Sequence, residues 1–238
     1  MENGKGLAAL LFPHISKTAE YYESIYPERN LKEGARVTRF APSPTGFLHF
    51  GNLFTCLISY KTAKSTNGVF YVRVEDTDQK RKIDGAVDVM LDGLSYFGIV
   101  PDEGVTGENE EKGEYGPYYQ SQRKEIYQAF AKKLVEEGFA YPCFCTAEEL
   151  DALRESQESE DIKGYYGKYA KCRNLSFDEI KSRIDAGMPW TLRLRSPGEE
   201  GRKCVFEDMI KGKIEMQENV QDIVLLKSDG NRSLQSDS

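Results

Sequence analysis

The spacing of apolar residues divides the first part of the chain into a strand, a turn, a helix and a second strand. Residues 37–41 alternate in polarity and lead into the proline-stiffened turn 42–46, so the first strand is expected to end there. A helix is predicted next, because apolar side chains recur at helical spacing in Leu53, Phe54, Leu57 and Ile58. Asn67-Gly68 supplies the helix stop, and the run 69–75 predicts the second strand.

This order of elements predicts a βαβ unit, in which a right-handed crossover places two parallel strands in one sheet. Apolar positions between Ile83 and Phe97 predict a further helix that ends at Gly98. We therefore expect an α/β fold that begins as the first half of a doubly wound, Rossmann-like domain. Ligands of such sheets bind at the carboxyl ends of the strands, so the segments that follow the two strands are candidates for chemistry.

A second region with different patterning follows. A helix is expected around Ile126–Leu134 with a stop at Gly138, and the Thr/Ser-x-x-Glu form of a capping box opens two more helices at Thr146 and Ser176. Strand-like runs stand at 190–195, 204–207 and 223–226. This mixture predicts an α+β domain, in which the biased composition of residues 155–161 indicates a flexible loop.

Composition limits the class of protein. The chain has 238 residues, 39% hydrophobic and 30% charged, which is typical of a globular protein. No apolar run approaches the roughly 18 to 20 residues that span a bilayer, and the amino terminus lacks a secretory signal, so we expect a cytoplasmic protein with no membrane partner. Five cysteines fit free thiols or a metal site in a reducing compartment better than a disulfide framework.

Net charge bears on nucleic acid as a partner. The formal charge of −7 argues against binding through overall electrostatic attraction, because neutralising phosphates requires clustered Lys and Arg. Basic residues do concentrate in 80–82, 163–173 and 193–203. Any contact with RNA is therefore expected to be local.

The first chemical segment runs from Arg39 to Asn52 and joins a strand end, a stiff turn and a helix start. The N–H groups of a helix start and its dipole favour a phosphate, and Gly51 allows close approach because it has no side chain. With a phosphate bound there, His49 could donate to a phosphoryl oxygen as negative charge moves in the transition state. The sequence has no Gly-x-x-x-x-Gly-Lys loop, so this segment would be a different kind of phosphate-binding motif.

The second chemical segment is Arg73-Val74-Glu75-Asp76-Thr77-Asp78, with Arg81 shortly after it, at the end of the second strand. Glu75 can pair with the ammonium group of an amino acid. Arg39, on the adjacent strand, can donate charged hydrogen bonds to a carboxylate. Together these two side chains predict a site for a zwitterion.

Both segments resemble those of class I aminoacyl-tRNA synthetases. Ala41-Pro42-Ser43-Pro44-Thr45-Gly46 before His49 has the form found in the glutamyl and glutaminyl branch, and residues 73–78 are similar to that branch's Arg-x-Glu-Asp-Thr-Asp stretch. Asn52 departs from the second His that the wider class carries. The resemblance continues through 116–123, 141–145, 190–195 and 224–230, and it covers nearly all of residues 35–230.

The resemblance implies a glutamate–tRNA ligase. Such an enzyme uses ATP with Mg²⁺ to form glutamyl-adenylate and then transfers glutamate to tRNA for glutamate, with tRNA for glutamine left open as a second partner. The residues implied in catalysis at the phosphates are His49, Gly51 and Asn52. Those implied in binding the amino acid are Arg39, Ala41, Ser43 and Glu75, and those near tRNA or ATP are Asp78 and Arg81.

The same resemblance divides the chain into segments. It implies an amino-terminal extension at 1–34, the first half of the ATP- and amino-acid-binding domain at 35–117, an inserted domain for the tRNA acceptor end at 118–230, and a tail at 231–238 that matches nothing in the family. Local Lys and Arg with interleaved Tyr in the inserted domain suit single-stranded RNA, whose bases stack on aromatic rings.

Cys143, Cys145 and Cys172 are candidates for a structural zinc site, since two thiolates at short spacing and a distant third match such sites. Some family members complete the set with Tyr or with His just beyond the third Cys. Here Asn174 follows Cys172, and Tyr166 is a candidate among the tyrosines that precede it. The alternative is that the three cysteines are packed thiols without metal.

Other functions remain open. A shortened, queuosine-type paralogue that attaches glutamate to a modified base of tRNA for aspartate shares these motifs, and a non-catalytic relic would keep only the tRNA-binding insertion. A small nucleotidyltransferase with a His-x-Gly-His turn is disfavoured by residues 75–78 and by the long insertion. After Gly230 the sequence does not match the second half of the family's nucleotide fold, so we expect a truncated form that is inactive alone.

Overall fold

The computed structural model describes residues 2–45, 48–78, 81, 83–158 and 162–227. Gly46 of the predicted turn, residues 159–161 of the expected loop and the tail 231–238 lie outside the described residues. The chain divides into two compact units, which we call the parallel-sheet unit (residues 19–126) and the antiparallel-sheet unit (residues 1–18 with 127–238). The implied segment 1–34 therefore contributes to both units, and its boundaries as a family segment stay predictions.

The helices are α1 (Glu2–Leu11), α2 (Ala19–Ile25), α3 (Phe50–Ser65), α4 (Ala86–Tyr96), α5 (Lys124–Glu136), α6 (Ala147–Ser156) and α7 (Phe177–Asp185). The strands are β1 (Val37–Phe40), β2 (Val69–Val72), β3 (Glu103–Gly107), β4 (Glu110–Lys112), β5 (Ala140–Cys143), β6 (Thr191–Leu194), β7 (Lys203–Asp208), β8 (Gly212–Gln217) and β9 (Val224–Leu226). Short 3₁₀ turns lie at Gln120–Arg123 and Gly167–Tyr169. Among the described residues, we find no helix with the length and apolar character needed to cross a membrane.

The parallel-sheet unit is built on a sheet with the strand order β1-β2-β3-β4. The first three strands are parallel, and β4 runs antiparallel to β3. Because α3 joins β1 to β2 and α4 joins β2 to β3, the predicted βαβ arrangement is confirmed. β1 and β2 are in register from Val37 opposite Val69 to Phe40 opposite Val72, so both strands end at the same edge of the sheet.

The β2 strand is shorter than predicted, because it ends at Val72 rather than at residue 75. The chain beyond it is still held beside the end of β1. The N–H of Arg73 donates to the carbonyl of Phe40 at 3.0 Å, and the N–H of Glu75 donates to the carbonyl of Pro42 at 2.8 Å. These bonds fix the backbone that carries the second chemical segment against the turn that carries the first.

Apolar side chains from the sheet and its helices form the core of this unit. Phe70, Val72, Leu94 and Val105 are completely buried, and each contributes roughly 1.5–3 kcal/mol by leaving water. Gly68, in the predicted helix stop, is required by close backbone approach: a Cβ there would lie 1.9 Å from the carbonyl oxygen of Arg36.

The antiparallel-sheet unit contains a three-stranded sheet with the order β5-β6-β9 and a separate β7–β8 hairpin. The predicted strand runs at 190–195, 204–207 and 223–226 are confirmed as β6, β7 and β9. Both predicted capping boxes are present with their reciprocal bonds, at Thr146 before α6 and at Ser176 before α7. The flexible loop expected from residue 155 is wrong at its start, because α6 continues through Ser156.

The first helix of the chain is an integral part of this unit. Ala8, Leu11 and Phe12 are buried, and the Phe12 ring meets the Trp190 ring edge-on with a centroid distance of 5.9 Å. The Lys132 ammonium group also donates to the carbonyl of Ile15 at 2.8 Å. The stretch from Ala8 to Ile15 is therefore packed structure, for which the sequence pattern supplied no assignment.

Candidate functional site

The start of α3 places His49 at the carboxyl end of β1. His49 has extended backbone angles, with φ of −110° and ψ of 165°, and serves as the N-cap of the helix. Its Nδ1 accepts a hydrogen bond from the N–H of Asn52 at 3.4 Å. Since Nδ1 is an acceptor, the neutral imidazole carries its proton on Nε2, which can donate to another group. Capping and donation to a phosphate are therefore compatible roles of one ring.

Gly51 makes room for this ring. A Cβ at position 51 would lie 3.2 Å from Cε1 and 3.3 Å from Nδ1 of His49, a closer contact than side-chain carbons normally make. A larger residue at position 51 would push the imidazole away from the helix start. The glycine thus serves the placement of His49 as well as the open approach to the helix N–H groups.

An open cleft with about 480 Å³ of space lies beside this helix start. Five of the predicted site residues line it: Arg39, Ala41, Ser43, His49 and Asn52. The structure therefore brings the strand end, the turn and the helix start together around one volume. The first turn of α3 borders that volume, and its positive dipole end favours an anionic ligand there.

Glu75 is joined to this group through Arg39. The Nη2 atom of Arg39 lies 3.5 Å from Oε1 of Glu75, and both side chains are partly shielded from solvent. One positive and one negative group are thus held next to each other at the ends of adjacent parallel strands. A zwitterionic amino acid requires this combination, with its carboxylate near the guanidinium and its ammonium near the carboxylate.

The remaining acidic residues of the second segment take different places. Asp76 is buried, and its two oxygens accept hydrogen bonds from the N–H of Ser121 at 2.8 Å and from the Ser121 hydroxyl at 2.6 Å. Asp78 and Arg81 form an exposed ion pair of 2.6 Å. The structure does not place Asp78 or Arg81 among the described residues that line the cleft. Their implied role near tRNA or ATP stays a prediction.

Sequence reasoning missed polar residues of α3 that border the cleft. Thr55 and Ser59 line the same cleft as Asn52. Their numbers follow Asn52 by three and seven positions, the spacing of residues on one helix face. That spacing could have predicted a polar face of the helix. The apolar residues between them indicated core packing instead.

Three cysteines converge in the antiparallel-sheet unit, at the end of β5 and in the turn before α7. The sulfur atoms of Cys143, Cys145 and Cys172 all lie within 4.8 Å of one another. The hydroxyl of Tyr165 lies 3.5 Å from the Cys145 sulfur and accepts a hydrogen bond from the N–H of Cys172 at 2.9 Å. The Tyr166 hydroxyl instead donates to the carbonyl of Ile162 at 2.8 Å.

The electrostatics of these cysteines favour one thiolate among them. Hydrogen bonds from the Cys145 and Cys172 thiols lower the pKa of Cys143 strongly. The same interaction with Cys143 raises the pKa of Cys145, and burial raises the pKa of Tyr165. Three sulfur atoms at this spacing are compatible with a zinc site, because the charge of zinc favours deprotonated thiolate ligands.

A parallel sheet whose strand ends carry a His-capped helix and an Arg–Glu pair is the arrangement that the sequence resemblance implied for a class I synthetase. The family described as tRNA synthetases class I (E and Q), catalytic domain, matches residues 36–232, and the chain belongs to this family.

Relatives within the family are named for glutamate. A glutamate–tRNA ligase of Clostridium perfringens (strain 13 / Type A) is 53% identical over 227 residues, which are 95% of this chain and 42% of that protein. Another from Acetivibrio thermocellus is 50% identical over 228 residues, again 95% of this chain and 42% of the relative. The chain thus spans about two fifths of the length of these relatives.

Solved structures of glutamate tRNA ligases are also similar to this chain. A crystal structure of a glutamate tRNA ligase from Elizabethkingia meningosepticum, in complex with its amino acid, matches with a TM-score of 0.71 and 35% identity. The match covers 84% of this chain and 40% of that one.

Proposed function

We propose that this chain supplies one half of the active site of a glutamate–tRNA ligase, which activates glutamate with ATP and transfers it to tRNA. The observation that carries the proposal is the position of Arg39. Its side chain lines the same cleft as His49 and also pairs with Glu75 at 3.5 Å. Recognition of a zwitterion and recognition of phosphate are therefore adjacent, as adenylate formation requires.

In the first step, a carboxylate oxygen of glutamate attacks the α-phosphorus of ATP, a new P–O bond forms, and pyrophosphate leaves with the electrons of the broken P–O bond. Glu75 holds the ammonium of glutamate, and Arg39 holds carboxylate oxygen. The Nε2–H of His49 and the start of α3 offset the negative charge that develops on the phosphate. Mg²⁺ that accompanies ATP neutralises phosphate charge when it is bound.

In the second step, a hydroxyl of the terminal ribose of tRNA attacks the activated carbonyl carbon and loses its proton. A new C–O ester bond forms, and AMP leaves with the electrons of the broken C–O bond. The relatives are named for glutamate, so we confine the proposal to glutamate and its tRNA. Tyrosine and basic residues of the antiparallel-sheet unit are the candidate contacts for the acceptor end. Tyr169 with Lys168 is one such pair, since the Lys168 ammonium lies 4.8 Å from the ring centroid.

The test is a chimeric enzyme in which the present chain replaces the corresponding part of the Clostridium perfringens ligase. We expect the chimera to catalyse glutamate-dependent exchange of pyrophosphate into ATP in the presence of tRNA, and to charge tRNA with glutamate. Replacing Glu75 by Ala should strongly weaken charging at low glutamate concentration, whereas replacing the exposed Asp185 by Ala should not. A folded chimera that charges no glutamate, or prefers another amino acid, would rule out the proposed function.

A structural zinc ion held by Cys143, Cys145 and Cys172 is part of the proposal, with Tyr165 as the fourth ligand. Tyr165 is favoured by its hydroxyl position, 3.5 Å from the Cys145 sulfur. The Arg193 guanidinium lies 4.2 Å from the centre of the Tyr165 ring and helps to hold that ring beside the cysteines. A closed four-ligand site of this kind stabilises a fold rather than taking part in chemistry.

Asn174 and Tyr166 are less suitable as fourth ligands. The side-chain oxygen of Asn174 accepts a hydrogen bond from Arg195 at 3.3 Å, and the Tyr166 hydroxyl is bonded to a backbone carbonyl at 2.8 Å. Using either group would require these bonds to break. We therefore propose Tyr165 in place of Tyr166.

A further inference from the structure

Three arginines surround one buried carboxylate in the antiparallel-sheet unit. The side chain of Asp222 is 0% exposed and accepts hydrogen bonds from the Arg173 guanidinium and the Tyr141 hydroxyl. Arg193 donates instead to the main-chain carbonyl of Asp222 at 2.8 Å. In the part of the chain that the structure describes, Asp222 is the one carboxylate that pairs with Arg173, Arg193 or Arg195.

Arg195 has neutral hydrogen-bond partners. Its Nη2 donates to the carbonyl of Arg173 at 2.6 Å, and its Nη1 donates to the side-chain oxygen of Asn174 at 3.3 Å. Burial and the neighbouring charge of Arg173 lower the pKa of Arg195. Asp222 neutralises Arg173 and Arg193 lies over the Tyr165 ring, so among the described residues Arg195 has no carboxylate partner, and holding its charge away from water is costly.

A cavity of about 230 Å³ adjoins two of these arginines. Arg173 and Arg195 line it, and its other walls are largely apolar. These walls come from α1, α5, β5, α7 and the turn before α7, with Leu7, Val135, Ala140, Leu175, Phe177 and Ile180 among the lining residues. Charge attraction is stronger beside apolar walls than in water, so an anion in this cavity would interact strongly with both guanidinium groups.

The acidic group at the nearby start of α7 is already engaged. The Oε2 atom of Glu179 accepts hydrogen bonds of 2.7 Å from both the N–H and the hydroxyl of Ser176, which itself lines the cavity. This carboxylate therefore caps α7 and does not compensate the arginines.

We propose that this cavity binds a phosphate group that carries two negative charges, either inorganic phosphate or a phosphomonoester. A phosphomonoester carries a charge of about −1.5 to −2 at neutral pH and three strong acceptor oxygens, so it can bond to both guanidinium groups that line the cavity, whereas a carboxylate has only two oxygens. The planar guanidinium group also pairs with phosphate oxygens through two parallel hydrogen bonds.

The volume indicates room for more than the phosphate itself. A water molecule occupies about 30 Å³ of liquid, so a cavity of about 230 Å³ also accommodates part of the group to which a phosphate is attached. If the proposed ligase function holds, the 5′-terminal phosphate at the acceptor end of an RNA is one source of this group. Free phosphate is the other, and binding of free phosphate does not rest on the ligase function.

The first experiment measures the binding of inorganic phosphate to the full chain by calorimetry, at constant ionic strength with chloride as the reference anion. We expect Arg195→Ala to weaken phosphate binding by about tenfold or more, because it removes a charged hydrogen-bonding group. Arg202→Ala is the matched control, because Arg202 pairs with Glu218 at an exposed site of the same unit. This variant should bind phosphate with the same affinity as the unchanged chain.

A second variant keeps every charge. Leu7→Trp fills the cavity from α1 and should weaken phosphate binding as strongly as Arg195→Ala. If Arg195→Ala does not fold, Leu7→Trp alone tests whether phosphate binds in the cavity. Circular dichroism and the unfolding temperature verify the fold of each variant. The proposal is overturned if the unchanged chain binds phosphate no better than chloride, or if folded Leu7→Trp binds it as well as the unchanged chain.

An RNA hairpin with a 5′-phosphate, compared with the same hairpin ending in a 5′-hydroxyl, identifies the source. Tighter binding of the phosphorylated hairpin that is lost in Arg195→Ala assigns the site to an RNA end. Equal binding of both hairpins, together with binding of inorganic phosphate, assigns it to free phosphate. Neither measurement contains glutamate or ATP, so failure of the ligase function would leave both results interpretable.

Discussion

The two nitrogens of His49 have different tasks. Nδ1 accepts the hydrogen bond that caps α3, at 3.4 Å from the N–H of Asn52, so the proton of the neutral ring belongs to Nε2. Asparagine is also a good N-cap residue but lacks the imidazole. Replacement by Asn therefore separates the cap from the proposed chemistry.

We predict that His49→Asn lowers kcat for adenylate formation about a hundredfold or more and scarcely changes KM for glutamate, because the donor acts on charge that develops in the transition state. His49→Ala should show the same kinetic loss and in addition destabilise the fold by about 1 kcal/mol through loss of the cap. Steady-state pyrophosphate exchange by the chimeric enzyme measures the first effect, and urea unfolding measures the second. A raised KM for glutamate with unchanged kcat would show that the assigned role is wrong.

Glu75 should show the opposite pattern. We predict that Glu75→Gln raises KM for glutamate by about tenfold or more, because a charged hydrogen bond contributes about 1.5–3 kcal/mol, while kcat changes less. The measurement is the same exchange assay at increasing glutamate concentration. Asp185→Asn, in an exposed ion pair with Lys181, is the control and should leave KM unchanged. Equal KM values for Glu75→Gln and the control would refute ammonium binding by Glu75.

At the scale of elements, a shielded ion pair joins the segment after α2 to β3. Arg29 pairs with Glu103, and their side chains are only 16% and 17% exposed. The Arg29 guanidinium also lies 3.6 Å from the ring centroid of Tyr115, and the Tyr118 hydroxyl donates to Glu103 at 2.8 Å. The hydrogen bond from Arg29 holds the pKa of Glu103 below its ordinary value. This carboxylate therefore makes the stability of the parallel-sheet unit depend on pH.

The direction of that dependence follows from the lowered pKa of Glu103. In the unfolded chain Glu103 takes up its proton near pH 4.5, whereas in the folded chain it stays ionised to lower pH. The stabilisation is complete above the unfolded pKa and is lost as pH falls through the folded pKa. We predict that Glu103→Gln reduces the loss of unfolding free energy between neutral and acid pH, as measured by urea unfolding at a series of pH values.

Removing the partner cation should be costly at neutral pH. We predict that Arg29→Ala lowers the free energy of unfolding by about 3–5 kcal/mol, since it leaves a shielded carboxylate without its partner. Lys181→Ala, in an exposed pair, should cost less than about 0.5 kcal/mol. Similar unfolding midpoints for the two variants would mean that solvent already screens the Arg29–Glu103 pair.

The cysteine cluster connects two elements that are distant in sequence. Cys145 and Cys172 have sulfur atoms 3.8 Å apart although 27 positions separate them. Zinc bound there would hold the end of β5 to the turn before α7. Binding energy at such a site becomes folding energy, because the unfolded chain has no preformed site.

We predict close to one zinc ion per chain, and a lower unfolding temperature after chelation. Cys172→Ser should reduce the zinc content below about a tenth of an equivalent, whereas Cys204→Ser, at the exposed cysteine of β7, should leave it unchanged. Tyr165→Phe should weaken retention against a chelator, and Tyr166→Phe should not. Elemental analysis of protein purified without chelator measures the content, and an unchanged chain without zinc would identify the cysteines as packed thiols.

One surface of the parallel-sheet unit exposes several large apolar side chains. β1 is the outer strand of its sheet, and α3 carries an exposed stripe of Phe50, Phe54, Leu57 and Ile58. Phe50 is 81% exposed and stacks on Phe54 with ring centroids 6.5 Å apart. An outer strand beside exposed apolar side chains favours association with another polypeptide surface.

We predict that the purified chain associates with itself as its concentration rises, and that Phe54→Asp weakens this association about tenfold or more by placing a charge in the apolar stripe. Tyr96→Asp, at an exposed aromatic residue of α4, is the control and should associate like the unchanged chain. Sedimentation velocity over a range of concentrations measures the effect. Equal association of both variants would exclude the stripe as the contact surface.

Features that depend on neighbouring residues were predictable from the sequence. The βαβ order, the start of α3 at His49 and both capping boxes follow from spacings of a few residues, and the structure confirms them. The grouping of Arg39, Ala41, Ser43, His49 and Asn52 was also predictable. Parallel strands must end at one edge of their sheet, and these residues stand directly at such an end.

Features that depend on contacts between distant positions required the tertiary structure. It distinguished Glu75, which pairs with Arg39, from Asp76, which Ser121 binds from 45 positions away. It selected Tyr165 rather than Tyr166 as the tyrosine beside the cysteines. Local patterns determine which element a residue joins and which face of that element it occupies. The partner of a charged or polar side chain depends instead on how the elements pack against one another. The energies of those pairings are gained only when the chain has folded.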